Sequence, residues 1–460
     1  MDEIRKYELS DLDKTGIKKR VQLVIFYELQ PTVDLDKLIS SVREGVNNAT
    51  RRLPFMAGNF KFDNTGRPYI ETLPGSEVEV SIRRFDSTEH RSLSALANRS
   101  YSPNDVPFVQ FLPDEPPAKK PVLLSDEPAP KEPVCALQVN LIEGGLVLGF
   151  RMNHAAGDWA SIDTFLSLVC QSSKAYQEGL KMPTYTPNLN RTPFNAPAAD
   201  PAISRQDHLE RLRIFHVMNK SQIKPKQLPI CRYSIYTISE PTIQQLKEQC
   251  TPHLSEVDYI SSYDCISALV WKSLTRIRLQ IHTEKSTSPS HFVHPIDVRS
   301  RDPENKTSKQ YFGNAVIGTQ AGPLTAEGLA SHGDRSLTAA ATEIRKSVNS
   351  VNLSTISHMT ALNASLAHWE ILGLTSDFDD MDIFMNSWYS GSAEKYDIGA
   401  GSVPVACRPA DGMPGSCVVI LPNFSRGETK VFEVLVNVTV EEDELLRKDE
   451  EFLKYFEPLA

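Results

Sequence analysis

His154 and Asp158 form an H-x-x-x-D run, and these two side-chain types can together support proton transfer. An imidazole changes its protonation state near neutral pH, so a histidine can take a proton from a nucleophile and pass it to a leaving group. The aspartate, four residues further on, can anchor the loop that holds the histidine. The pair predicts general acid–base catalysis by His154, whereas a partly buried histidine bonded to a backbone carbonyl is the alternative that the motif alone leaves open.

A strand before His154 and a helix after it must position this side chain. Two apolar stretches, 134–142 and 146–152, are typical of strands, and Gly144 lies in the turn that joins them. From Trp159 onward, apolar residues recur every three or four positions, which predicts a helix. Regular structure on both sides indicates that the imidazole is firmly held and directed into a cleft.

The composition is that of a soluble globular protein, because 40% of the 460 residues are hydrophobic and 23% are charged. This length is more than one hydrophobic core usually supports, so two domains are expected. The net charge of −9 and the lack of a Lys/Arg cluster argue against a nucleic-acid partner. The apolar runs are too short to span a bilayer, so we expect no membrane partner.

The seven cysteines are spread along the chain, and the closest two are ten positions apart. The start of the sequence lacks the apolar segment of a secretion signal. Together these features predict reduced thiols and a cytoplasmic protein, and they argue against a cysteine zinc site. His291 and His294 have a spacing that could bind a metal, but no third ligand follows at zinc-site spacing, so no metal is expected.

A proline-rich stretch at 182–202 is followed by polar residues, and this composition is typical of a crossover between domains. Mixed strands and helices on both sides of it predict α/β or α+β layers in each half. The acidic run 441–444 predicts the solvated start of a helix that continues to Leu453. We place the amino-terminal domain at 1–200, the crossover linker at 201–227 and the carboxy-terminal domain at 228–460.

Two further segments have residues whose types suggest a role at the site. Asp397 is followed by Gly399 and Gly401, and alternating glycines mark backbone in a tight or unusual conformation. Further upstream, a strand-like segment ends in Arg299, whose guanidinium can bind a carboxylate through two parallel hydrogen bonds.

These motifs together resemble the BAHD family of acyl-CoA-dependent acyltransferases, whose two signatures are H-x-x-x-D and D-F-G-W-G. Both signatures fall in the expected order and halves of this chain, and the resemblance includes the helix with Trp271, Lys272 and Ser273. Within the family, the chain is similar to the fungal branch of trichothecene 3-O-acetyltransferases. The resemblance implies an α/β fold of two similar domains, each a mixed sheet with helices as in chloramphenicol acetyltransferase, with an active-site channel between them.

The resemblance also implies a role for each matching residue. His154 becomes the catalytic base, and Asp158 becomes its structural partner, which points away from the substrate and pairs with Arg299. The other implied roles are structural support beside the CoA channel for Asp397, Gly399 and Gly401, and CoA contact at a helix N-terminus for Ser261 and Ser262. Ser387 and Trp388 lie near the second signature and are candidates for contact with CoA or with the reaction's oxyanion, with an ordinary place at a strand end as the alternative.

The sequence departs from the family pattern at three positions. Ile398 and Ala400 replace the phenylalanine and tryptophan of the second signature, and Trp159 stands where many members have glycine. Because Asp397 and both glycines remain, we expect the backbone conformation of this signature to persist, with altered side-chain packing around it.

The implied reaction is transfer of an acyl group, most simply acetyl from acetyl-CoA, to a hydroxyl or amine of a small secondary metabolite by a monomeric enzyme. A condensation-type enzyme that accepts carrier-protein thioesters is one alternative, but Asn153 replaces the second histidine of that motif and Trp159 replaces its glycine. A non-catalytic small-molecule-binding protein on the same fold is the other. The intact His154, Asp158 and Arg299 disfavour it.

Overall fold

The computed structural model describes residues 3–16, 20–86, 92–104, 106–114, 132–223, 229–302, 310–389, 393–410, 415–422, 424 and 429–459. It has a mixed α/β architecture with two large sheets and two small ones. The strands are β1 (Arg5–Glu8), β2 (Arg20–Glu28), β3 (Asn59–Phe62), β4 (Pro68–Thr72), β5 (Glu79–Arg84), β6 (Cys135–Ile142), β7 (Gly145–Asn153), β8 (Phe215–Asn219), β9 (Cys231–Ser239), β10 (Pro289–Asp297), β11 (Val316–Thr325), β12 (Glu370–Leu374), β13 (Ile383–Ser387), β14 (Val403–Pro409), β15 (Cys417–Ile420), β16 (Val431–Thr439) and β17 (Glu457–Pro458). The helices are α1 (Leu35–Arg52), α2 (Leu93–Ala97), α3 (Trp159–Glu178), α4 (Arg205–Leu212), α5 (Glu240–Cys250), α6 (Ser262–Ile281), α7 (Ala326–Ala330), α8 (Asp334–Ser350), α9 (Leu353–Ser365), α10 (Val440–Leu446) and α11 (Glu450–Leu453).

A five-stranded sheet with the order β14-β2-β7-β6-β5 carries the strand that leads to His154. Every residue of β6 and β7 is buried, which explains why both stretches are largely apolar. Gly144 lies in the turn between them with a φ of 76°, a left-handed conformation that glycine adopts without strain. Helices α1 and α3 pack against each other, and residues such as Val42, Leu148 and Phe165 join them to the sheet in one core.

A seven-stranded sheet with the order β11-β10-β13-β15-β16-β9-β17 forms the second large layer. Helix α6 is buried along most of its length, and its apolar residues share a core with this sheet and with α8. The helix begins with a capping box, as its sequence predicts. The Ser261 hydroxyl accepts a hydrogen bond from the N–H of Asp264, and the Asp264 carboxylate accepts one from the N–H of Ser261.

The segment predicted as a crossover linker, 201–227, contains regular structure in its described part. Helix α4 packs on α9, and β8 pairs antiparallel with β12. Strand β14 comes from the carboxy-terminal half of the chain but pairs with β2 along the edge of the five-stranded sheet. The large sheets therefore do not follow the division of the chain into 1–200 and 228–460, which stays a prediction.

The acidic run 441–444 does not form a solvated helix start. Glu442 is buried and accepts a hydrogen bond from the Arg278 guanidinium at 2.6 Å, and Asp443 is completely buried. The helix ends at Leu446, because Asp449 begins a second helix by accepting the N–H of Phe452 at 2.8 Å. The prediction of one continuous helix with a solvated acidic end is therefore wrong.

None of the helices in the described ranges is both long and apolar enough to cross a membrane. Within the same ranges, His, Cys, Asp and Glu side chains form no cluster of three or more that could hold a metal ion.

Candidate active site

His154 lies in a short 3-10 helix, His154–Ala156, between the end of β7 and the start of α3. The Asn153 side chain begins this turn by accepting a hydrogen bond from the N–H of Ala155 at 3.0 Å, and it donates to the Glu132 carboxylate at 3.3 Å. The backbone of His154 also packs against Gly16. A Cβ added to Gly16 would lie 2.7 Å from the His154 carbonyl carbon, so only glycine allows this close approach.

Asn314 sets the orientation and the tautomer of the His154 ring. Its side-chain Nδ2 donates to the backbone carbonyl of His154 at 2.6 Å, so its Oδ1 is the atom that faces His154 Nδ1 at 2.9 Å. An amide oxygen can only accept a hydrogen bond, and Nδ1 must therefore carry the hydrogen. The neutral imidazole then has its lone pair on Nε2, which is the nitrogen that can act as a base.

A buried polar cluster holds Asn314 in turn. The Asp13 carboxylate accepts a hydrogen bond from the backbone N–H of Asn314 at 2.6 Å. Its second oxygen lies 3.3 Å from the Arg191 guanidinium and 3.4 Å from the Tyr311 hydroxyl. Burial disfavours the charge on Arg191, but Asp13 and Tyr311 raise the pKa of this guanidinium overall. Burial also raises the pKa of Tyr311, so both groups keep their protons at neutral pH.

Asp158 and Arg299 form a buried ion pair with two parallel hydrogen bonds of 2.8 Å. The same carboxylate accepts the N–H of Ser161 at 3.2 Å, which caps the start of α3, and the N–H of Ala315 at 2.9 Å. Asp158 thus joins the first turn of α3 to the segment that carries Asn314. Its oxygens are used by these donors, which agrees with a structural role and not with proton transfer.

Arg299 extends this junction to the same segment from the end of β10. Its guanidinium donates to the carbonyl oxygens of Tyr311 at 3.0 Å and Gly313 at 2.9 Å. Burial disfavours the charged form, but the carboxylates of Asp158 and Asp297 raise the pKa of Arg299 overall. The arginine therefore remains charged, and it fixes the chain just before Asn314, while Asp158 holds Ala315 just after it.

Trp159 and Trp388 stack with their ring centroids 5.2 Å apart and their planes 6° from parallel. Trp159 is the first residue of α3 and Trp388 follows β13, so the stack connects the layers built on the two large sheets. The backbone N–H of Trp388 donates to the Ile420 carbonyl at 2.8 Å, and that of Ser387 donates to the Asn386 side chain at 2.8 Å. Neither N–H is available for an oxyanion, which leaves the Ser387 hydroxyl and the Trp388 indole as the donors for the predicted contact.

Ser261 and Ser262 lie at the N-terminus of α6, where the sequence places part of the CoA contact. The capping box engages the N–H groups of Ser261 and Asp264. Buried Asp264 is paired with Arg345, so the carboxylate charge beside this terminus is balanced. The first-turn N–H groups of a helix have no acceptor within the helix, and those of Ser262 and Tyr263 are the donors that suit a phosphate here. The contact itself stays a prediction.

The 397–401 loop packs on the carboxy-terminal part of α3. Asp397 accepts the N–H of Gly399 at 2.8 Å and forms an ion pair with Lys174 at 2.7 Å. Gly399, Ala400 and Gly401 have φ values of 84°, 57° and 67°, so all three lie in the left-handed region that favours glycine. Lys174 is 16 residues beyond Asp158, which is roughly 24 Å along the helix axis. This distance agrees with the predicted structural role and separates the loop from His154.

His291 and His294 do not form a metal pair. His291 Nδ1 lies 2.9 Å from the Asp382 carboxylate. His294 is completely buried, with its two ring nitrogens 3.0 Å from the Tyr263 hydroxyl and 2.8 Å from the Ser347 hydroxyl. Burial, with a smaller contribution from Arg345, lowers the pKa of His294 to about 3, so it is a neutral core residue.

The sequence profile described as Transferase family matches residues 3–453 of this chain. The chain belongs to this family, the BAHD acyltransferases. Trichothecene 3-O-acetyltransferase TRI101 of Fusarium sporotrichioides is 23% identical to it over 460 residues, which cover 94% of this chain and 92% of the relative. The crystal structure of that organism's TRI101 complexed with coenzyme A and T-2 has a TM-score of 0.78 at 21% identity and covers 99% of this chain and 100% of its own. The crystal structure of vinorine synthase has a TM-score of 0.63 at 17% identity, covering 98% of this chain and 93% of its own.

These findings confirm the α/β fold class and the recognition of the family, and this protein is an acyl-CoA-dependent acyltransferase. The structure places Asp158 on Arg299 and brings both close to the backbone around His154, while the 397–401 loop and the Ser261 helix end lie on other elements. Asn314 and Asp13 were not among the predicted residues. No local sequence pattern marks either residue, because each is brought behind His154 only by the folding of distant segments.

Proposed function

We propose that this acyltransferase moves an acetyl group from acetyl-CoA to a hydroxyl of a small secondary metabolite, with His154 as the general base. The observation that carries the proposal is the Asn314 amide on His154 Nδ1, because it leaves Nε2 as the basic nitrogen. A relative named for 3-O-acetyl transfer supports acetyl as the donor group and a hydroxyl as the acceptor. An amine acceptor would react by the same steps.

His154 serves both halves of the reaction. Nε2 takes the proton from the acceptor hydroxyl while its oxygen attacks the thioester carbonyl carbon, which gives a tetrahedral oxyanion. The carbon–sulfur bond then breaks, and the imidazolium returns the proton to the departing CoA thiolate. Nδ1 donates to Asn314 in the neutral ring and in the imidazolium alike, so the ring does not need to turn between the steps. No covalent acyl-enzyme is required.

Asp158 and Arg299 contribute by holding the backbone that this chemistry depends on. Their ion pair fixes the start of α3 against the segment that carries Asn314. The distance over which a proton moves in general base catalysis is set by hydrogen-bond geometry, so a shift of the His154 turn by about 1 Å can cost a factor of about 10². We therefore assign Asp158 and Arg299 to positioning.

The test is acyl transfer from acetyl-CoA to a panel of small alcohols and amines, followed by thiol release and by mass detection of the added acetyl group. His154→Ala should lower kcat by about 10² to 10⁴ while leaving CoA affinity and melting temperature close to wild type. His282→Ala, at an exposed histidine beyond the end of α6, is the matched control and should behave like wild type. More than a tenth of the wild-type rate in His154→Ala would remove the assignment.

Thermal shift separates catalysis from simple binding. A ligand of the folded state stabilises it by about 2.7 kcal/mol at a hundred times its dissociation constant, so acetyl-CoA should raise the melting temperature. Stabilisation without transfer to any acceptor would favour a non-catalytic binding protein, and no response to acetyl-CoA but activity with a carrier-protein thioester would favour a condensation-type enzyme. We also propose a monomer that works without a metal, which light scattering and an activity assay with a chelator can test, and a cytoplasmic location, which cell fractionation can test.

A further inference from the structure

We propose that Asp13 is a positioning residue for the transfer reaction, acting on His154 through Asn314. The proposal rests on the function proposed above. It assigns to Asp13 two effects, namely locking the Asn314 amide so that His154 keeps one tautomer, and raising the basicity of that imidazole. Asp13 is 141 residues from His154 in sequence and does not touch it, so no motif points to the role.

The lock follows from how the hydrogen atoms of the Asn314 amide are used. Nδ2 donates to the His154 carbonyl at 2.6 Å and faces Asp13 Oδ1 at 3.4 Å. Asp13 Oδ1 also accepts the backbone N–H of Asn314 at 2.6 Å, which holds the residue from its main chain. A flipped amide would set its oxygen against a carbonyl and a carboxylate at once, and this repulsion keeps Oδ1 on His154 Nδ1.

The electrostatic effect follows from the order of charges across the cluster. Asp13 is 0% exposed, and its two oxygens have different partners. Oδ1 faces Asn314, on the side of His154, whereas the Arg191 guanidinium lies 3.3 Å from Oδ2. The anion is therefore closer to the catalytic ring than its counter-cation is. Negative charge near an imidazole favours its protonated form, and the imidazolium is the form that appears during acyl transfer.

The element that carries Asp13 is built against the catalytic turn. Asp13 begins a 3-10 helix that ends at Gly16, and Gly16 packs directly on the His154 backbone. Asp13 itself is held by the N–H and hydroxyl of Ser10 at 2.8 and 3.0 Å. The amino-terminal segment thus holds the Asp13 carboxylate in a fixed position on the far side of Asn314 from the His154 ring.

Other charged groups around the ring are themselves paired. Asp158 and Arg299 neutralise each other and join the same backbone segment as Asn314. Arg191 is the cation that opposes Asp13, and the Tyr311 hydroxyl between them keeps its proton because burial raises its pKa. Removing the charge of Asp13 should therefore lower the pKa of His154, and removing that of Arg191 should raise it.

The decisive variants are Asp13→Asn and Arg191→Gln. The pKa of His154 can be read directly by NMR titration of its ring carbons, assigned by the signal that disappears in His154→Ala. It can also be read from the pH profile of acetyl-CoA hydrolysis, with water in place of the acceptor hydroxyl and thiol release as the signal. Asp13→Asn should lower this pKa by about 0.5 to 1 unit, and Arg191→Gln should raise it. Asp13→Asn should also lower kcat by about tenfold or more and change KM for acetyl-CoA by less than about twofold.

Asp11→Asn is the matched control, because Asp11 lies two residues before Asp13 and pairs with Lys14 outside this cluster. It should leave both the pKa and kcat unchanged. If the lock acts through Asn314, adding Asp13→Asn to Asn314→Ala should slow the enzyme by much less than Asp13→Asn slows the wild type, and the remaining loss is that of the Asp13 charge.

Two results would overturn the proposal. One is a His154 pKa that does not move in Asp13→Asn, or that moves in the same direction in Arg191→Gln. The other is a loss of kcat that is additive with that of Asn314→Ala. If Asp13→Asn does not fold, the Arg191→Gln titration decides alone. Normal activity in Asp13→Asn alongside an inactive His154→Ala would reject Asp13 only, whereas an active His154→Ala would reject the proposed function itself.

Discussion

Neutralising Asp158 should cost this acyltransferase folding stability as well as activity, because the residue is half of a buried ion pair. Its side chain is only 2% exposed, and that of Arg299 is 6% exposed. The carboxylate accepts two hydrogen bonds from the guanidinium and two from backbone N–H groups. Removing one partner of such a pair leaves an uncompensated charge, at a typical cost of about 3 to 5 kcal/mol.

The structure decides where each variant falls in that range. Asp158→Asn keeps one acceptor oxygen, and Asp297 still faces the arginine at 3.2 Å, so we expect about 3 kcal/mol. Arg299→Ala leaves the carboxylate with its backbone donors only and also removes the bonds to two carbonyls, so we expect about 4 to 5 kcal/mol. The double variant contains neither buried charge. It should cost about 5 kcal/mol, which gives a coupling energy of about 2 to 3 kcal/mol.

Urea unfolding of the wild type, both single variants and the double variant measures this coupling. Tryptophan fluorescence is a suitable signal because Trp159 directly follows Asp158 and stacks on Trp388. The matched control is the same cycle on Arg84 and Asp36, a pair whose side chains are 57% and 90% exposed and whose coupling should stay below about 1 kcal/mol. Additive costs for Asp158 and Arg299 would refute the coupled pair, and a loss of activity in Asp158→Asn without any loss of stability would mean that Asp158 takes part in the chemistry.

Three further predictions concern folding stability, and each is checked by unfolding measurements on one or two variants. Gly399→Ala should lower the free energy of unfolding by about 1 to 2 kcal/mol because of its left-handed φ, and by a further amount because the new Cβ would lie 3.1 Å from the Lys174 backbone. Gly401→Ala should cost less, because the atom nearest to its Cβ belongs to a flexible side chain. Equal melting temperatures for the two variants would contradict this order. Ala400→Gly relieves a left-handed alanine and should be neutral or stabilising by up to about 1 kcal/mol, so a clear loss would mean that its methyl group packs well enough to outweigh the strain. Burial lowers the pKa of His294 to about 3, below its value near 6.5 in the unfolded chain. The contribution of neutral His294 to folding stability is therefore fully present above pH 6.5 and falls as the pH drops towards 3. Between pH 7 and 5 it should cost the wild type about 2 kcal/mol, and His294→Gln should lose less stability over the same interval; parallel pH curves would reject the assignment.

Local patterns predicted the parts of this site that lie close together in sequence. The buried hairpin of β6 and β7, the helix after Asp158 and the capping box at Ser261 each have a pattern that a short window contains. Asn314 and Asp13 do not, because their places beside and behind His154 depend on how segments 13–16, 154–158 and 311–315 meet in three dimensions. The family resemblance supplied the partnership of Asp158 with Arg299, which spacing alone leaves undetermined.

Charge patterns were less reliable where burial changes their meaning. The acidic run 441–444 has the composition of an exposed helix start, yet two of its carboxylates are buried and paired with Arg278 and Arg232, which lie on other elements. The partners of such a run are distant in sequence, so composition cannot distinguish a solvated face from a buried ion-pair cluster. The pairing of β14 with β2 could not be predicted for the same reason, because these two strands are distant in sequence and only the topology of the sheet brings them together.

That pairing also affects how the chain can fold while it is being synthesised. The strands β2, β6 and β7 have all been made by residue 153, but β14 ends about 250 residues later. At typical synthesis rates of about 5 to 20 residues per second, the edge of β2 stays open for roughly 10 to 50 seconds. Through that interval an apolar strand presents unpaired N–H and C=O groups to other nascent chains. The five-stranded sheet should therefore depend on a chaperone, or on a loosely formed intermediate, until β14 has been synthesised.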